Sequence, residues 1–334
     1  MVGPLAAALD RAVTLAVAQR HAQGTAHADD AQLLSRAERA VADYGHLALG
    51  DYFSEPCAIE PVVTHNGRAD HATVSWPSSH QPLCQKVGAD YKCHTPNHQA
   101  VVRLFTRERP RPIAILVHGY MGGSFAVEQR IWPMARLDAW GFDVALFTLP
   151  FHGVRAATGA VPLFPQSDIG FNLEGFRQSV GDLRDLVHWL RRRGHAQVGV
   201  MGMSLGGYVA ALTATLEPEL DFLIPVVPLA CLVDFAREQG RFPRGAANAH
   251  VYEKALKRVY RLVSPLSRPS QIAPDRVLVL AGKFDRITPP RHARSLAHHF
   301  SAPLEAWGGG HLLQFGRAKS LQRVGTLLRQ IANH

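Results

Sequence analysis

The stretch Gly202–Gly206, with the sequence Gly-Met-Ser-Leu-Gly, has the residue types and spacing of a serine nucleophile on a sharp turn. It follows the apolar run Val198–Met201 and precedes Gly207–Leu212, whose residues are compatible with a helix. Both flanking positions have to be glycine, because a Cβ at position 202 or 206 would meet the adjacent strand or helix. Ser204 is therefore the candidate nucleophile.

A base has to activate this serine, because its hydroxyl is a poor nucleophile at neutral pH. The sequence contains 18 histidines, so histidine alone is a weak signal. His311 is distinguished by its place: it follows Leu304–Trp307, which we predict to be the last strand, and three glycines, Gly308–Gly310, precede it directly. These glycines give the loop the freedom to bring the imidazole over the serine.

An acid is needed to hold the tautomer of His311 and to stabilise its charged form. Asp285 follows the apolar run Val277–Ala281 and the turn residue Gly282, which would place it at the carboxyl edge of the sheet. The alternatives are that Asp285 caps the following helix, or that Asp234, after the preceding strand, is the acid. We predict that Asp285 has this role.

The negative charge that forms on the substrate oxygen needs two preorganised donors. One is expected to be the backbone N–H of Leu205, directly after the nucleophile. The other is expected in the turn His118–Gly123, which follows the apolar run Ile113–Val117. We predict the N–H of Tyr120, with Met121 as the alternative.

Further polar residues are expected near the same edge of the sheet. His152 follows the run Val144–Leu149 and is either a substrate-pocket residue or a structural one; Met121 is a second candidate for the pocket. Asn172 is expected to cap a long helix over Leu173–Arg193, which would end at Gly194 with three arginines in its last turn.

From residue 99 onward, short apolar runs alternate with helical stretches, as in an α/β fold with a mostly parallel sheet. The predicted strands are Ala100–Thr106, Ile113–His118, Val144–Leu149, Val198–Met203, Phe222–Val227, Val277–Ala281 and Leu304–Trp307. Runs of this length, rich in Val, Ile and Leu, are typical of strands that are buried on both faces.

Residues from about 99 to 334 resemble the α/β-hydrolase superfamily, in its esterase, lipase and thioesterase branch. Four motifs occur in the family's order: His118-Gly119-Tyr120 of the oxyanion loop, Gly202–Gly206 of the nucleophile elbow, Gly282–Pro289 with the acid, and Gly310-His311. The resemblance implies an α/β-hydrolase fold and assigns the catalytic roles to Ser204, Asp285 and His311.

The remaining regions carry weaker predictions. Residues 1–98 match nothing in this family and are expected to form an extension of unknown role, helical from 4 to 49 with an interruption near Gly24, then loops and edge strands. Residues 99–334 would be the catalytic domain, with a helical cap at 228–274. In the cap, Lys254, Lys257, Arg258 and Arg261 share one helical face, either as a solvated surface or as a basic entrance that favours anionic substrates or a membrane surface.

Composition narrows the class of protein. Hydrophobic residues make up 47% and charged residues 19%, as in a globular protein. The net charge of +9 comes without any nucleic-acid recognition motif, so no nucleic-acid partner is expected. Cys84, Cys93, His94 and His98 fit no standard zinc spacing, and neither a metal nor a cofactor is expected. The start lacks a signal-peptide pattern, and no run is long enough to span a membrane, so a cytoplasmic location is expected.

The predicted function is hydrolysis of an ester-type acyl bond in a small molecule, through a Ser-His-Asp triad and an acyl-enzyme. A carboxylesterase is the default. A thioesterase, a lactonase, an amidase or an acyltransferase would use the same residues, and a non-catalytic binding protein could share the scaffold. The oligomeric state is left open.

Overall fold

The computed structural model describes residues 3–12, 29–65, 71–157 and 159–333, and its centre is one twisted sheet. The nine strands found in these residues are β1 (Val62–His65), β2 (Ala72–Pro77), β3 (Gln99–Phe105), β4 (Ile113–Val117), β5 (Asp143–Phe147), β6 (Val198–Met203), β7 (Phe222–Val226), β8 (Val279–Gly282) and β9 (Leu304–Trp307). They lie in the order β1-β2-β3-β5-β4-β6-β7-β8-β9. Each predicted apolar run therefore forms a strand of this sheet.

The sheet has a parallel part and an antiparallel part. From β5 through β4, β6, β7 and β8 to β9, each strand pairs in parallel with its neighbour. β1, β2 and β3 form an antiparallel meander that joins the parallel part where β3 pairs with β5. Every residue of β4, β5 and β7 is buried, as expected for strands covered on both faces. The predicted mostly parallel α/β architecture is confirmed.

Helices cover both faces of the sheet. They are α1 (residues 3–12), α2 (Asp30–Tyr44), α3 (Gln85–Lys92), α4 (Phe125–Ile131), α5 (Met134–Ala139), α6 (Ile169–Arg192), α7 (Leu205–Thr213), α8 (Leu232–Glu238), α9 (Ala246–Tyr260), α10 (Pro290–His299) and α11 (Ala318–Ala332). Short 3₁₀ turns lie at Thr95–His98, Gly153–Arg155, Arg261–Val263, Pro265–Ser267 and Pro274–Arg276. Among the described helices, none is long and apolar enough to cross a membrane.

The long helix α6 begins one turn earlier than predicted. Its N-cap is Asp168, whose carboxylate accepts a hydrogen bond from the N–H of Phe171 at 2.8 Å. The prediction that Asn172 caps this helix is wrong, because the Asn172 side chain instead bonds to the N–H and C=O of Gln166. At the other end, Gly194 has φ +93°, the left-handed conformation expected after a helix C-terminus.

α6 is buried on its polar side as well as its apolar side. The apolar side, with Phe176, Val180 and Leu183, packs in the core. The polar side faces residues 44–97, through Tyr44 Oη to Glu174 Oε1 (2.9 Å), Cys57 N to Asp185 Oδ1 (2.6 Å), Ser78 Oγ to Asp182 Oδ1 (2.5 Å) and Asn97 Nδ2 to Gln178 Oε1 (2.8 Å). Hydrogen bonds thus attach the N-terminal region to this helix.

Residues 45–54, here called the strap, are held by arginine side chains that donate to backbone carbonyls. The pairs are Arg258 with Gly45 (3.3 Å), Arg261 with Leu47 (2.5 Å), Arg268 with Leu49 (3.1 Å), Arg177 with Tyr52 (2.7 Å) and Arg184 with Ser54 (2.7 Å). Several planar donors on one guanidinium make arginine well suited to this role.

The strap adds contacts to the basic face of the cap that the sequence did not predict. Arg258 is exposed and Arg261 is half-buried, and the guanidinium group of each donates to the strap. The solvated surface and the basic entrance both stay predictions. Lys257 pairs with Glu253 of the same helix at 2.8 Å, and Lys254 is exposed. The face was predicted from the helical spacing of residues 254–261 alone, and no sequence pattern indicates that residues 45–47 lie against it.

The predicted division of the chain at residues 98 and 99 stays a prediction. Residues described from both sides of it share one sheet, since β2 pairs with β3 along its whole length. α8 and α9 lie within the predicted cap, residues 228–274. α9 packs against α2 of the N-terminal region. The predicted interruption near Gly24 falls outside the described residues.

Candidate active site

The Ser204 turn has the geometry expected of a nucleophile elbow. β6 ends at Met203, and α7 begins at Leu205, so Ser204 is the single residue between strand and helix. Its φ of +55° and ψ of −113° are strained for a residue with a side chain. A Cβ on Gly202 would strike the carbonyl of Gly206, and one on Gly206 would strike the carbonyl of Val117. The expected need for both glycines is confirmed.

Asp285 and His311 lie together at the carboxyl edge of the sheet, as predicted. The loop after β8 carries Asp285, the loop after β9 carries His311, and His311 Nδ1 lies 2.8 Å from Asp285 Oδ2. A carboxylate can only accept, so this contact places the proton on Nδ1 and leaves the lone pair of Nε2 available as a base. Both side chains are more than nine-tenths buried.

Thr288 completes this pair and was missed by the sequence analysis. Its hydroxyl donates to the carbonyl of Val227 at 2.8 Å and lies 3.0 Å from His311 Nδ1. Asp285 Oδ1 accepts from the N–H groups of Ile287 and Thr288 at 2.9 and 2.8 Å, so the carboxylate is fixed by its own loop. The rival acid Asp234 is exposed in the first turn of α8, and His311 Nδ1 has Asp285 as its carboxylate partner.

Two contacts hold the His311 loop beside the nucleophile turn. Gln314 Nε2 lies 3.2 Å from the carbonyl of His311 and 3.9 Å from the sulfur of Met203, the residue before Ser204. Within the described residues, no hydrogen bond joins the Ser204 hydroxyl to His311 Nε2. Such contacts are often long without a substrate and shorten when one binds. Gln314 lies in no motif that could have identified it, and Thr288 lies in the Gly282–Pro289 motif but was given no role there.

The turn after β4 lies against Ser204 and can present an oxyanion site. An ideal Cβ built on Gly119 would lie 3.4 Å from the Ser204 Cβ, so the turn is in van der Waals reach of the nucleophile. The N–H of Leu205 is the first of α7, where no intrahelical acceptor exists. Tyr120 follows Gly119 directly. The roles of the Tyr120 and Leu205 N–H groups as oxyanion donors stay predictions.

The buried side chains of His118 and Glu128 form hydrogen bonds with the backbone of this turn. The Leu149 N–H donates to His118 Nε2 at 3.0 Å, which leaves Nδ1 to donate to the Gly119 carbonyl at 2.8 Å. Burial lowers the pKa of His118 to about 4, so the ring is neutral. Glu128 accepts from the Gly123 N–H at 3.0 Å, and burial raises the pKa of its carboxyl. The His118 side chain thus joins the ends of β4 and β5 by hydrogen bonds.

The two predicted pocket residues differ in position. His152 is fully buried beneath the turn, with its ring centroid 5.0 Å from that of His118 and 6.0 Å from that of Tyr120. Its Nδ1 lies 2.8 Å from the Pro150 carbonyl, and burial keeps the pKa of His152 well below its usual value. Met121, 46% exposed with φ +66°, lies on the outside of the same turn. A substrate contact by either residue stays a prediction.

The cysteine–histidine segment shows other partners. Cys93 Sγ lies 3.5 Å from the carbonyl of Ala89, and His98 Nε2 lies 3.4 Å from that of Tyr91. In the part of the chain that the structure describes, no group of three His, Cys, Asp or Glu side chains could hold a metal ion.

The parallel sheet, the strained serine after β6 and the Asp-His pair after β8 and β9 are arranged as in the α/β-hydrolase fold. Residues 109–260 match the family model described as alpha/beta hydrolase domain containing 18, a stretch that includes Ser204 and the oxyanion turn but ends before Asp285 and His311. Over these residues the chain is similar to this family, and its fold is the α/β-hydrolase fold.

Uncharacterized proteins from two strains of Mycobacterium tuberculosis are 31% identical to this chain over 271 residues. The match includes 78% of this chain, and the chain spans 65% of the length of these relatives. Among solved structures, an acetyl xylan esterase from Paenibacillus sp. R4 has a TM-score of 0.56 and 16% identity, covering 90% of this chain and 96% of its own. Acetyl xylan esterase 1 from Thermoanaerobacterium sp. JW/SL YS485 has a TM-score of 0.53 and 16% identity, and the match covers 90% of this chain and 93% of the esterase. The likeness to these two solved structures shows the fold.

Proposed function

We propose that this protein is a serine hydrolase that cleaves a carboxylic ester of a small molecule through Ser204, His311 and Asp285. The observation that carries the proposal is the 2.8 Å contact from His311 Nδ1 to Asp285 Oδ2 at the same sheet edge as the strained Ser204 turn. It gives the imidazole the tautomer that a general base needs. Esterases among proteins of the same fold support an ester as the substrate.

Each residue has a defined step in this proposal. His311 Nε2 takes the proton of the Ser204 hydroxyl as its oxygen attacks the acyl carbon. The oxyanion accepts hydrogen bonds from the N–H groups of Tyr120 and Leu205. The protonated imidazole, stabilised by Asp285, then gives its proton to the departing alcohol. Water, activated by the same imidazole, releases the acid and restores Ser204. We place these steps in residues 99–334, with 1–98 as an extension and 228–274 as a cap.

The proposal is tested by labelling and by kinetics on Ser204→Ala. A fluorophosphonate probe should label the wild-type protein at one site and should not label the variant. Ester hydrolysis should fall by about 10³-fold or more, leaving the weak catalysis of the oxyanion site. Ser295→Ala is the matched control, because Ser295 is an exposed serine whose hydroxyl bonds only within α10. It should keep both labelling and activity.

The outcomes separate the alternatives. If Ser204→Ala keeps more than about a tenth of the wild-type kcat, Ser204 is not the nucleophile. A folded wild-type protein that neither reacts with the probe nor hydrolyses any acyl substrate would be a binding protein on this scaffold. A panel of oxygen esters, thioesters, lactones and amides then ranks the leaving groups, and a preference for a class other than oxygen esters would overturn the carboxylesterase assignment.

A further inference from the structure

The carboxylate of Asp10, on α1, is buried against both loops of the catalytic pair. Asp10 is 0% exposed. Its Oδ2 accepts hydrogen bonds from the N–H of His311 at 2.9 Å and from the N–H of Arg286 at 3.1 Å. Its Oδ1 accepts from the N–H of Leu312 at 3.2 Å. One side chain therefore binds the residue after Asp285, the catalytic histidine and the residue after it.

The neighbouring residues are shaped for this approach. A Cβ on Gly310 would lie 2.7 Å from Asp10 Oδ2 and 3.2 Å from the Cβ of Ala6, so a larger residue before His311 would push α1 away. The backbone of Gly3 lies against the ring of Phe284, the residue before Asp285. Gly3, Ala6 and Asp10 lie on one face of the helix, since residues three and four apart are neighbours. This face contacts both catalytic loops.

The chemistry of the contact bears on the reaction. Three backbone donors with one carboxylate fix the main chain at His311 and at Arg286, and thereby the relative position of the imidazole and Asp285. A negative charge bound to the His311 N–H also favours the imidazolium that forms during attack. Other charged side chains on these elements are Arg11 on α1, Lys283 and Arg286 beside Asp285, and Arg317 after His311.

We infer that Asp10 is a positioning residue for the catalytic pair, so that the N-terminal helix is part of the active site. The inference rests on the proposed function. Asp10 touches no substrate; it acts through the main chain of His311 and the Asp285 loop. No sequence motif marks it, and its distance along the chain from the hydrolase motifs hid it from the sequence analysis.

The test is Asp10→Asn in the full chain, which keeps the size of the side chain and removes its charge. The amide presents one acceptor oxygen where the carboxylate has two, so at least one of the three N–H groups loses its partner. With an ester that the wild type cleaves, kcat should fall roughly tenfold with little change in KM, because small displacements of catalytic groups affect the chemical step. The midpoint of the rise of kcat/KM with pH should move down by about half a unit, since the imidazolium loses a neighbouring negative charge.

Asp30→Asn is the matched control. Asp30 is also a carboxylate of the N-terminal region that accepts backbone hydrogen bonds, from the N–H groups of Arg244 and Gly245 before α9. Its variant should lose stability but keep the kcat and the pH midpoint of the wild type. A role of Asp10 in stability alone would make the two variants behave alike.

The outcomes are distinct. If Asp10→Asn is folded and has the wild-type kcat and pH midpoint, the inference is wrong even though the triad stands. If it fails to fold, Asp10→Ser, with one uncharged acceptor, takes its place under the same criteria. If the wild type has no Ser204-dependent activity, the proposed function fails first; the rate of fluorophosphonate labelling of Ser204 then reports whether Asp10→Ser or Asp10→Asn still affects the histidine.

Discussion

Two buried polar networks in this protein contain similar residue types but differ in their access to solvent. In one, Asp182, Asp185 and Glu174 of α6 accept hydrogen bonds from side chains of the N-terminal region. The fully buried Arg155, which follows β5, pairs with Asp182 in the same network. In the other, Asp285 meets His311 and Thr288 at the sheet edge. The difference lies in access. Ser204 beside the second network is partly exposed, whereas Asp182 and Arg155 are sealed.

A buried carboxylate does not by itself mark a catalytic site. Burial raises the pKa of Asp185 to about 6, a shift that a search for perturbed groups would select. Its hydrogen-bond partners are the Cys57 N–H and the Ser79 hydroxyl, and both belong to the packing of the N-terminal region. Position at the ends of parallel strands separates Asp285 from these groups.

The largest effect should come from the catalytic network. Asp285→Asn should lower kcat by about 10²–10⁴-fold, because the amide favours the wrong tautomer of His311 and cannot stabilise its charged form. Steady-state kinetics with an ester substrate measure this. Asp234→Asn, a change of the same chemistry at an exposed position of α8, is the control and should be mild. A larger loss in the Asp234 variant would give that residue the role of the acid.

Breaking the ion pair in the other network should affect stability instead. Arg155 Nη2 lies 2.8 Å from Asp182 Oδ2, with 0% and 1% of the side chains exposed. Arg155→Met leaves a buried carboxylate without its cation, and the free energy of unfolding should fall by about 3–5 kcal/mol. Arg107→Met, at an exposed pair with Asp138, should cost less than about 1 kcal/mol. Urea unfolding measures both, and similar losses would show that burial of the pair makes no difference.

The smallest effect is a difference in pH dependence between the two regions. Below pH 6.5 the unfolded chain binds a proton at His118, while the folded protein, with a pKa of about 4, does not, so this residue lowers stability as the pH falls. Asp185 has the opposite sign, because its raised pKa of about 6 lets the folded protein bind a proton before the unfolded chain does.

Thermal unfolding of two variants from pH 7 to pH 4 separates these contributions. Relative to the wild type, His118→Gln should lose less stability on acidification, and the glutamine oxygen can still accept from the Leu149 N–H. Asp185→Asn should lose more stability than the wild type over the same range. Curves parallel to that of the wild type for both variants would mean that neither group changes its proton occupancy on unfolding.

The sequence predicted the sheet and the edge that holds Ser204, Asp285 and His311, because both depend on short-range patterns. Apolar runs identified β3 to β9 to within a few residues, and the order of Ser204, Asp285 and His311 along the chain placed them at one edge. Short polar side chains also fix helix starts, but two candidates for one cap, Asp168 and Asn172, could not be separated without the fold.

What the sequence could not predict are pairings between distant polar residues. The polar side of α6 and the side chains of Arg258 and Arg261 are typical of solvent-exposed helix faces. Nothing local indicates that the described residues between 44 and 97 contact them. Thr288 and Gln314 act through a few hydrogen bonds to residues distant in sequence, and no periodicity accompanies such contacts. Hydrophobic burial has a pattern in sequence, whereas a hydrogen bond across the fold requires only two residues.

The contact between Asp10 and His311 joins residues 301 positions apart. During synthesis α1 emerges among the first described elements, and the loops that it binds emerge after β8 and β9. Pairings at such separation form late, because the intervening chain must be ordered before they stabilise anything. A growing chain would carry Ser204 long before His311 has a fixed position, so the nascent protein would have no hydrolase activity until these separate segments had met.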